Sequence, residues 1–252
     1  MEKYKEDLSL TLAETGALFF GKNLVLKDGR PTPYFVNLGS FNTGSLSLKL
    51  GSFFADMFMA GSLEKKTDII VGPSYKGSSI AIATVNALFH NHGLDFLFDY
   101  DRKEAKKHGE MSSSATLFVN NTFFDRSRIF IVDDVATSMD TKYELIEKIK
   151  KEFQSRGFQC TISGLGIAVD REQTAAVYGN DGKIMLNKKG EDAVALFSAR
   201  VGVPFFSVAG IREIVGFLYA NEIPVSISGE KRPIDDKLIK EFNEYMIIYG
   251  RE

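Results

Sequence analysis

One cysteine, Cys160, is too few for an internal disulfide or a cysteine-built zinc site. Three histidines, His90, His92 and His108, are too few for a histidine-rich metal centre. No apolar run reaches the length that spans a bilayer, and the opening MEKYKEDLSL lacks the apolar stretch of a secretion signal. The expected location is therefore the cytoplasm. A dominant sign of charge is missing as well: 31 Lys and Arg stand against 33 Asp and Glu, a net charge of −2. That leaves no global electrostatic case for nucleic acid or an anionic membrane, so any bound anion must meet a local cluster of bases. Repeats and linkers rich in Pro, Gly or Ser are absent too, and residues 1–252 are expected to form one domain. What is present, 44% hydrophobic and 25% charged residues, suits an ordinary water-soluble protein with a sizeable core.

The stretch 128–141, RIFIVDDVATSMDT, organises the rest. Four apolar residues, Ile129 to Val132, run into adjacent carboxylates, Asp133 and Asp134. A loop of mostly small and hydroxylated residues follows, from Val135 to Thr141, and a helical pattern begins at Lys142. In an open α/β sheet, ligands collect where a strand ends and a helix begins. The free N–H groups of the helix start favour an anion such as phosphate. The paired carboxylates can accept hydrogen bonds from a ribose diol or lie near a metal. The same residues would also serve as a strand end with acidic caps on the next helix.

Apolar spacing predicts an amphipathic helix over 4–20, ending near Gly21. Asp28-Gly29 signals a hairpin, and Pro31 and Pro33 make its second strand an edge or irregular strand rather than a central one. A helix is predicted over 45–59, a buried strand over 68–71, the turn GPSYKG over 72–77 and a small-residue helix over 78–89. Strands over 94–98, 128–132, 158–169 and 203–208 follow, with helices over 141–154, 211–220 and 235–249. Residues 174–192 form a turn-rich excursion. Strands alternating with helices indicate a parallel sheet with right-handed crossovers. Three polar clusters then converge on one edge of it: Tyr75-Lys76, the basic segment 101–110 (DRKEAKKHGE) and the loop 133–141.

In combination these segments resemble a type I phosphoribosyltransferase, more closely an orotate phosphoribosyltransferase. The motifs that carry the likeness appear in order: LKDGRPTPYFVNLG, GPSYKG, DRKEAKKHGE, IFIVDDVATSMDT and VDR. They cover residues 8–171 well and the C-terminal third loosely. The resemblance implies an open, mostly parallel sheet flanked by helices, with a small N-terminal hood over about residues 1–40. It implies magnesium-assisted transfer of ribose 5-phosphate from 5-phosphoribosyl 1-diphosphate to orotate, with the Mg²⁺ held mainly by substrate rather than by protein ligands. Asp133 and Asp134 would hold the ribose hydroxyls, and the loop from Val135 and Ala136 through Thr137, Ser138, Met139 and Asp140 to Thr141 the 5′-phosphate. Lys27, Tyr75 and Lys76 would contact the diphosphate donor. Arg102, Lys103, Lys106 and His108 would act on the leaving diphosphate. Phe35, Val36 and Thr137 would flank orotate, and Arg171 would pair with its carboxylate. The resemblance also implies a homodimer in which the 101–112 loop acts across the interface.

The phosphate loop departs from the family's pattern, which usually places glycine and threonine or serine where this chain has Met139 and Asp140. A carboxylate there would face a dianionic phosphate unless it points outward or caps the helix. Two alternatives therefore stand beside the orotate reading: a phosphoribosyltransferase for another base, and a non-catalytic regulator that binds phosphoribosyl diphosphate.

Overall fold

The computed structural model describes residues 1–103, 116–136 and 139–251. Helix α1 (Lys3–Glu14) leads into the hairpin β1 (Leu18–Val25) and β2 (Pro31–Val36). After α2 (Gly44–Ala60) come β3 (Ile69–Gly72), α3 (Lys76–His92), β4 (Leu97–Tyr100), β5 (Ser127–Ala136), α4 (Asp140–Arg156) and β6 (Cys160–Asp170). The C-terminal third adds α5 (Ala193–Val201), β7 (Phe205–Gly210), α6 (Ile211–Ala220), β8 (Val225–Ile227), β9 (Glu230–Arg232) and α7 (Asp236–Tyr249). No helix among the described residues is long and apolar enough to cross a membrane.

Five strands form an open parallel sheet in the order β4-β3-β5-β6-β7. Its central strand shows why the sequence takes this form. Ile129, Phe130, Ile131 and Val132 are fully buried and alternate between two cores. Phe130 and Val132 join the core built by α1, α2, α3 and α6, while Ile129 and Ile131 join the core under α4 and α5. A strand covered on both faces needs a continuous apolar run, and each such side chain contributes roughly 1.5–3 kcal/mol. The strand extends through Asp133 and Asp134 to Ala136, pairing Val135 with Val169 and Ala136 with Asp170. Val135 and Ala136 thus belong to the sheet rather than to the loop expected from Val135 onward.

The first predicted helix is corrected. It stops at Glu14, and Leu18, Phe19 and Phe20 are strand residues paired with Val36, Phe35 and Tyr34. The break is Gly16, whose φ of +67° a helix does not admit. A second sheet, β2-β1-β8-β9, has β2 at its edge, as its prolines require. Its two C-terminal strands and α5 were not anticipated from the sequence. The 174–192 excursion is a hairpin-like fold-back, bridged at Tyr178 and Ile184. It is tied down where the buried Arg30 donates to the Thr174 carbonyl at 2.7 Å and Thr174 N–H donates to the Tyr249 carbonyl at 2.9 Å.

Candidate active site

The sheet's connections run outward in opposite directions from β3 and β5. The chain passes from β3 through α3 to β4 on one side, and from β5 through α4 to β6 on the other. The two helices cover opposite faces, so the carboxyl ends of β3 and β5 bound a crevice at a topological switch point. The turn into α3 is tight because Gly72 and Gly77 touch: a Cβ on Gly72 would overlap the Gly77 carbonyl. This turn presents Tyr75, 77% exposed, and Lys76, the first residue of α3. Across the crevice Lys76 Nζ donates to Asp134 Oδ2 at 2.9 Å. A cavity of about 80 Å³ adjoins this pair, lined also by Leu38, Phe41, Ser79 and Ile80.

The two carboxylates of the central motif have different surroundings. Asp134 is partly exposed and faces Lys76. Asp133 is 6% exposed, and its Oδ2 lies 2.6 Å from Nζ of Lys142, itself 4% exposed. Burial pushes the Asp133 carboxyl up, and the Lys142 ammonium pulls it back. Met139 adopts a left-handed conformation (φ +64°) and packs into the core under α4. A non-glycine residue there costs about 1 kcal/mol, which burial of the thioether side chain offsets. Asp140 is the first residue of α4 and is exposed, as is Thr141. Asp140 therefore points outward, and it does not cap the helix: Met139 holds the cap position without a side-chain bond.

At the end of β6 stands Arg171, only 5% exposed. Its Cζ lies 5.2 Å from the Tyr34 ring centre and 5.9 Å from that of Phe35. Its Nε and Nη2 are buried and find no hydrogen-bond partner among the described residues. Tyr34 is held from behind: Gln173 Nε2 donates to Tyr34 Oη at 3.0 Å and to Tyr245 Oη at 2.8 Å. Burial pushes the Tyr34 hydroxyl well above its ordinary value, so it stays neutral beside the guanidinium. Phe35 stacks on Phe19 at 5.7 Å, Val36 is buried, and Lys27 is exposed in the β1–β2 turn.

The basic segment begins with a braced neck. Arg102 N–H donates to the Leu117 carbonyl and Val119 N–H to the Tyr100 carbonyl, at 2.8 and 3.1 Å. Arg102 Nε reaches the Phe118 carbonyl at 3.3 Å. The fully buried Asp99 accepts from the backbone of Tyr100, Val119, Asn120 and Thr122. Asp101 accepts from Ser74 N–H at 2.6 Å and from Lys148 Nζ at 2.5 Å, joining the neck to the β3–α3 turn and to α4. Lys103 places its Nζ 5.4 Å from the Tyr75 ring centre. The described parts of the three expected clusters, Tyr75-Lys76, residues 101–103 and residues 133–136 with 139–141, thus meet on one edge. Lys106, His108, Thr137 and Ser138 lie outside the described residues. Sequence reasoning missed Lys142, Asp99, Asp101 and Gln173. Only Lys142 carried a local signal, as a lysine on the apolar stripe of α4.

A scan against models of known protein families found no match. The parallel sheet with its switch-point crevice nevertheless has a close structural counterpart, and the class it defines is that of the phosphoribosyltransferases. The structure aligns with the crystal structure of orotate phosphoribosyltransferase from Francisella tularensis at a TM-score of 0.71 and 26% identity, covering 95% of this chain and 97% of that one. In sequence the chain is 35% identical over 209 residues to orotate phosphoribosyltransferase of Bifidobacterium adolescentis, 81% of this chain and 80% of that one. It is 30% identical over 251 residues to the enzyme of that name from Clostridium botulinum strain Alaska E43, 99% of each chain. The chain belongs to the orotate phosphoribosyltransferase family.

Proposed function

We infer that the protein transfers ribose 5-phosphate from 5-phosphoribosyl 1-diphosphate to N1 of orotate, giving orotidine 5′-monophosphate and diphosphate in pyrimidine biosynthesis. Family membership supports the reaction, and one observation carries the acceptor: the buried Arg171 beside Phe35, with two nitrogens that find no partner among the described residues. A guanidinium kept from water without an acceptor is costly, and its fork suits a planar carboxylate. Orotate supplies that carboxylate on a flat ring that can lie against Phe35. Purine bases lack it.

The chemistry assigns the remaining groups. Ribosyl transfer passes through a cation-like sugar while negative charge grows on the departing diphosphate. Lys76 and Lys103 flank Tyr75 at the crevice mouth, where fixed cations favour that charge more in the transition state than in the ground state. Asp134 takes the ribose hydroxyls, and the N–H groups at the start of α4 take the 5′-phosphate. Mg²⁺ would be held mainly by the diphosphate and would offset its charge. Among the described residues, Asp134 is the carboxylate that faces Lys76 across the crevice. The proposal includes residence in the cytoplasm and a homodimer whose 101–112 loop reaches the neighbouring site. Closure of that loop would exclude water, which otherwise hydrolyses the donor.

Loss of orotate absorbance with donor and Mg²⁺ tests the reaction, with purine bases run in parallel. Turnover of orotate alone is expected. Turnover of a purine alone would move the protein to another acceptor, and donor binding without any turnover would make it a regulator. Mixing inactive Lys103→Ala and Arg171→Ala subunits tests the shared site. If the loop acts across the dimer, each mixed dimer carries one intact site and activity returns. No recovery on subunit exchange would place the loop over its own site.

A further inference from the structure

Lys142 occupies a position where a helix of this kind calls for an aliphatic side chain. The buried face of α4 runs through Leu145, Ile146, Ile149 and Phe153, and Lys142 lies one turn ahead on the same stripe. It is the one lysine among the described residues whose side chain is buried. Such an ammonium must find acceptors, and it finds two: Asp133 Oδ2 at 2.6 Å and the Val135 carbonyl at 2.9 Å. These belong to the neighbours of Asp134 on either side. Asp133 is committed on both oxygens, because its Oδ1 accepts from Asp134 N–H at 2.9 Å. The strand end that displays Asp134 is thus gripped from beneath at both flanks by one cation.

We propose that Lys142 is a positioning residue for the donor: by pairing with Asp133 and holding the Val135 carbonyl it fixes the backbone on both sides of Asp134, so that the strand end keeps the shape that receives the ribose hydroxyls. This rests on the reading of the crevice as the donor site. The groups acting on Asp133 are Lys142 from α4 and Asp134 from its own strand. From β6 the apolar Ile167 stands opposite, and from α3 Lys76 reaches only Asp134.

Calorimetric binding of 5-phosphoribosyl 1-diphosphate with Mg²⁺, from pH 5.5 to 8, tests this on three proteins: the unmodified chain, Lys142→Met, and Lys142→Met with Asp133→Asn. The single variant is expected to bind the donor about tenfold more weakly, the size of one lost charge-assisted hydrogen bond. Its affinity should also acquire a pH dependence as the unpaired Asp133 titrates. The double variant removes that titrating group, so the pH dependence should vanish while the weakened affinity remains, because the grip on Val135 is still missing. Affinity in the double variant within twofold of the unmodified protein would overturn the proposal and leave Lys142 a packing residue. So would a single variant whose binding matches the unmodified protein across the whole range. Orotate turnover of the unmodified protein in the same buffers separates the two readings. Donor binding without turnover sinks the assigned reaction and leaves Lys142 to be judged by calorimetry, and no donor binding at all sinks both.

Discussion

The two ends of the crevice treat buried charge in opposite ways. At the donor end, Asp133 is buried with its own cation, and the pair is complete before any substrate arrives. At the acceptor end, Arg171 is buried to the same degree, with two nitrogens unsatisfied among the described residues. An internally paired charge costs little further to keep and shapes the backbone around it. An unpaired one is a standing penalty that a ligand of opposite charge removes on binding. The donor end is therefore built for geometry, and the acceptor end stores binding energy for a carboxylate. Aromatic faces make the second arrangement tolerable: the Tyr34 and Phe35 rings lie against the guanidinium, each presenting a negative quadrupole.

Substituting each buried charge tests the contrast most strongly. Arg171→Ala is expected to lower kcat/KM for orotate by about a thousandfold, roughly 4 kcal/mol, as when one partner of a buried charge pair is truncated. Yet the free protein should melt no lower with Arg171→Met, because an unsatisfied buried cation has been removed. A marked loss of melting temperature there would mean that the guanidinium has partners in the free protein and is no store of binding energy. Lys103→Ala is expected to lower kcat about a hundredfold or more, with little change in stability, since this exposed side chain packs against little. An unchanged rate would remove Lys103 from the chemistry.

Lys142→Met should do what Arg171→Met does not and destabilise the free protein by about 3 kcal/mol at neutral pH, because it strands a buried carboxylate. The pH dependence has a definite sign. Burial raises Asp133 above its ordinary 3.8, so the folded state holds that proton more tightly than the unfolded chain. Ionising it therefore costs stability as pH climbs from the unfolded value through the raised one. Without Lys142 that window widens upward, and thermal melts of the variant should recover in mild acid. A melting temperature flat between pH 4 and 7 would contradict the pairing.

Much of this was legible in the chain. Four consecutive apolar residues before Asp133, a glycine-flanked turn after Val71 and the base-rich segment after Tyr100 each mark a strand end. Parallel topology then brings such ends together. Arg171 was singled out by the resemblance, through the motif VDR, and the structure puts it beside Phe35. What escaped reading depends on contacts distant in sequence. Leu18 to Phe20 continue an apolar spacing that looks helical until pairing with 34–36 makes them strand. The three-residue strands β8 and β9 exist because β1 offers an edge to pair with. Asp101 read as part of a charge run and Asp99 drew no reading, and only the fold shows Asp99 holding the returning chain and Asp101 tying three segments together. Lys142 was visible in the text as a lysine on an apolar stripe. Nothing local told that its partner lay nine residues back.

Asp140 should give the smallest effect, and it decides how far the donor end tolerates extra charge. As the exposed first residue of α4 it stabilises the helix start, worth about 0.3–1 kcal/mol. The same position beside an arriving phosphate opposes binding by a comparable amount. In Asp140→Thr the two contributions separate. Melting temperature should fall slightly while donor affinity rises about two- to fivefold at low salt, a change of under 1 kcal/mol. Because the side chain is exposed, the gain in affinity should shrink as salt is raised from 0.05 to about 0.5 M. A gain that ignores salt would mean that the carboxylate turns inward when donor binds and blocks it sterically. Unchanged affinity would place the phosphate away from the first turn of α4, and with it the role given to that helix start.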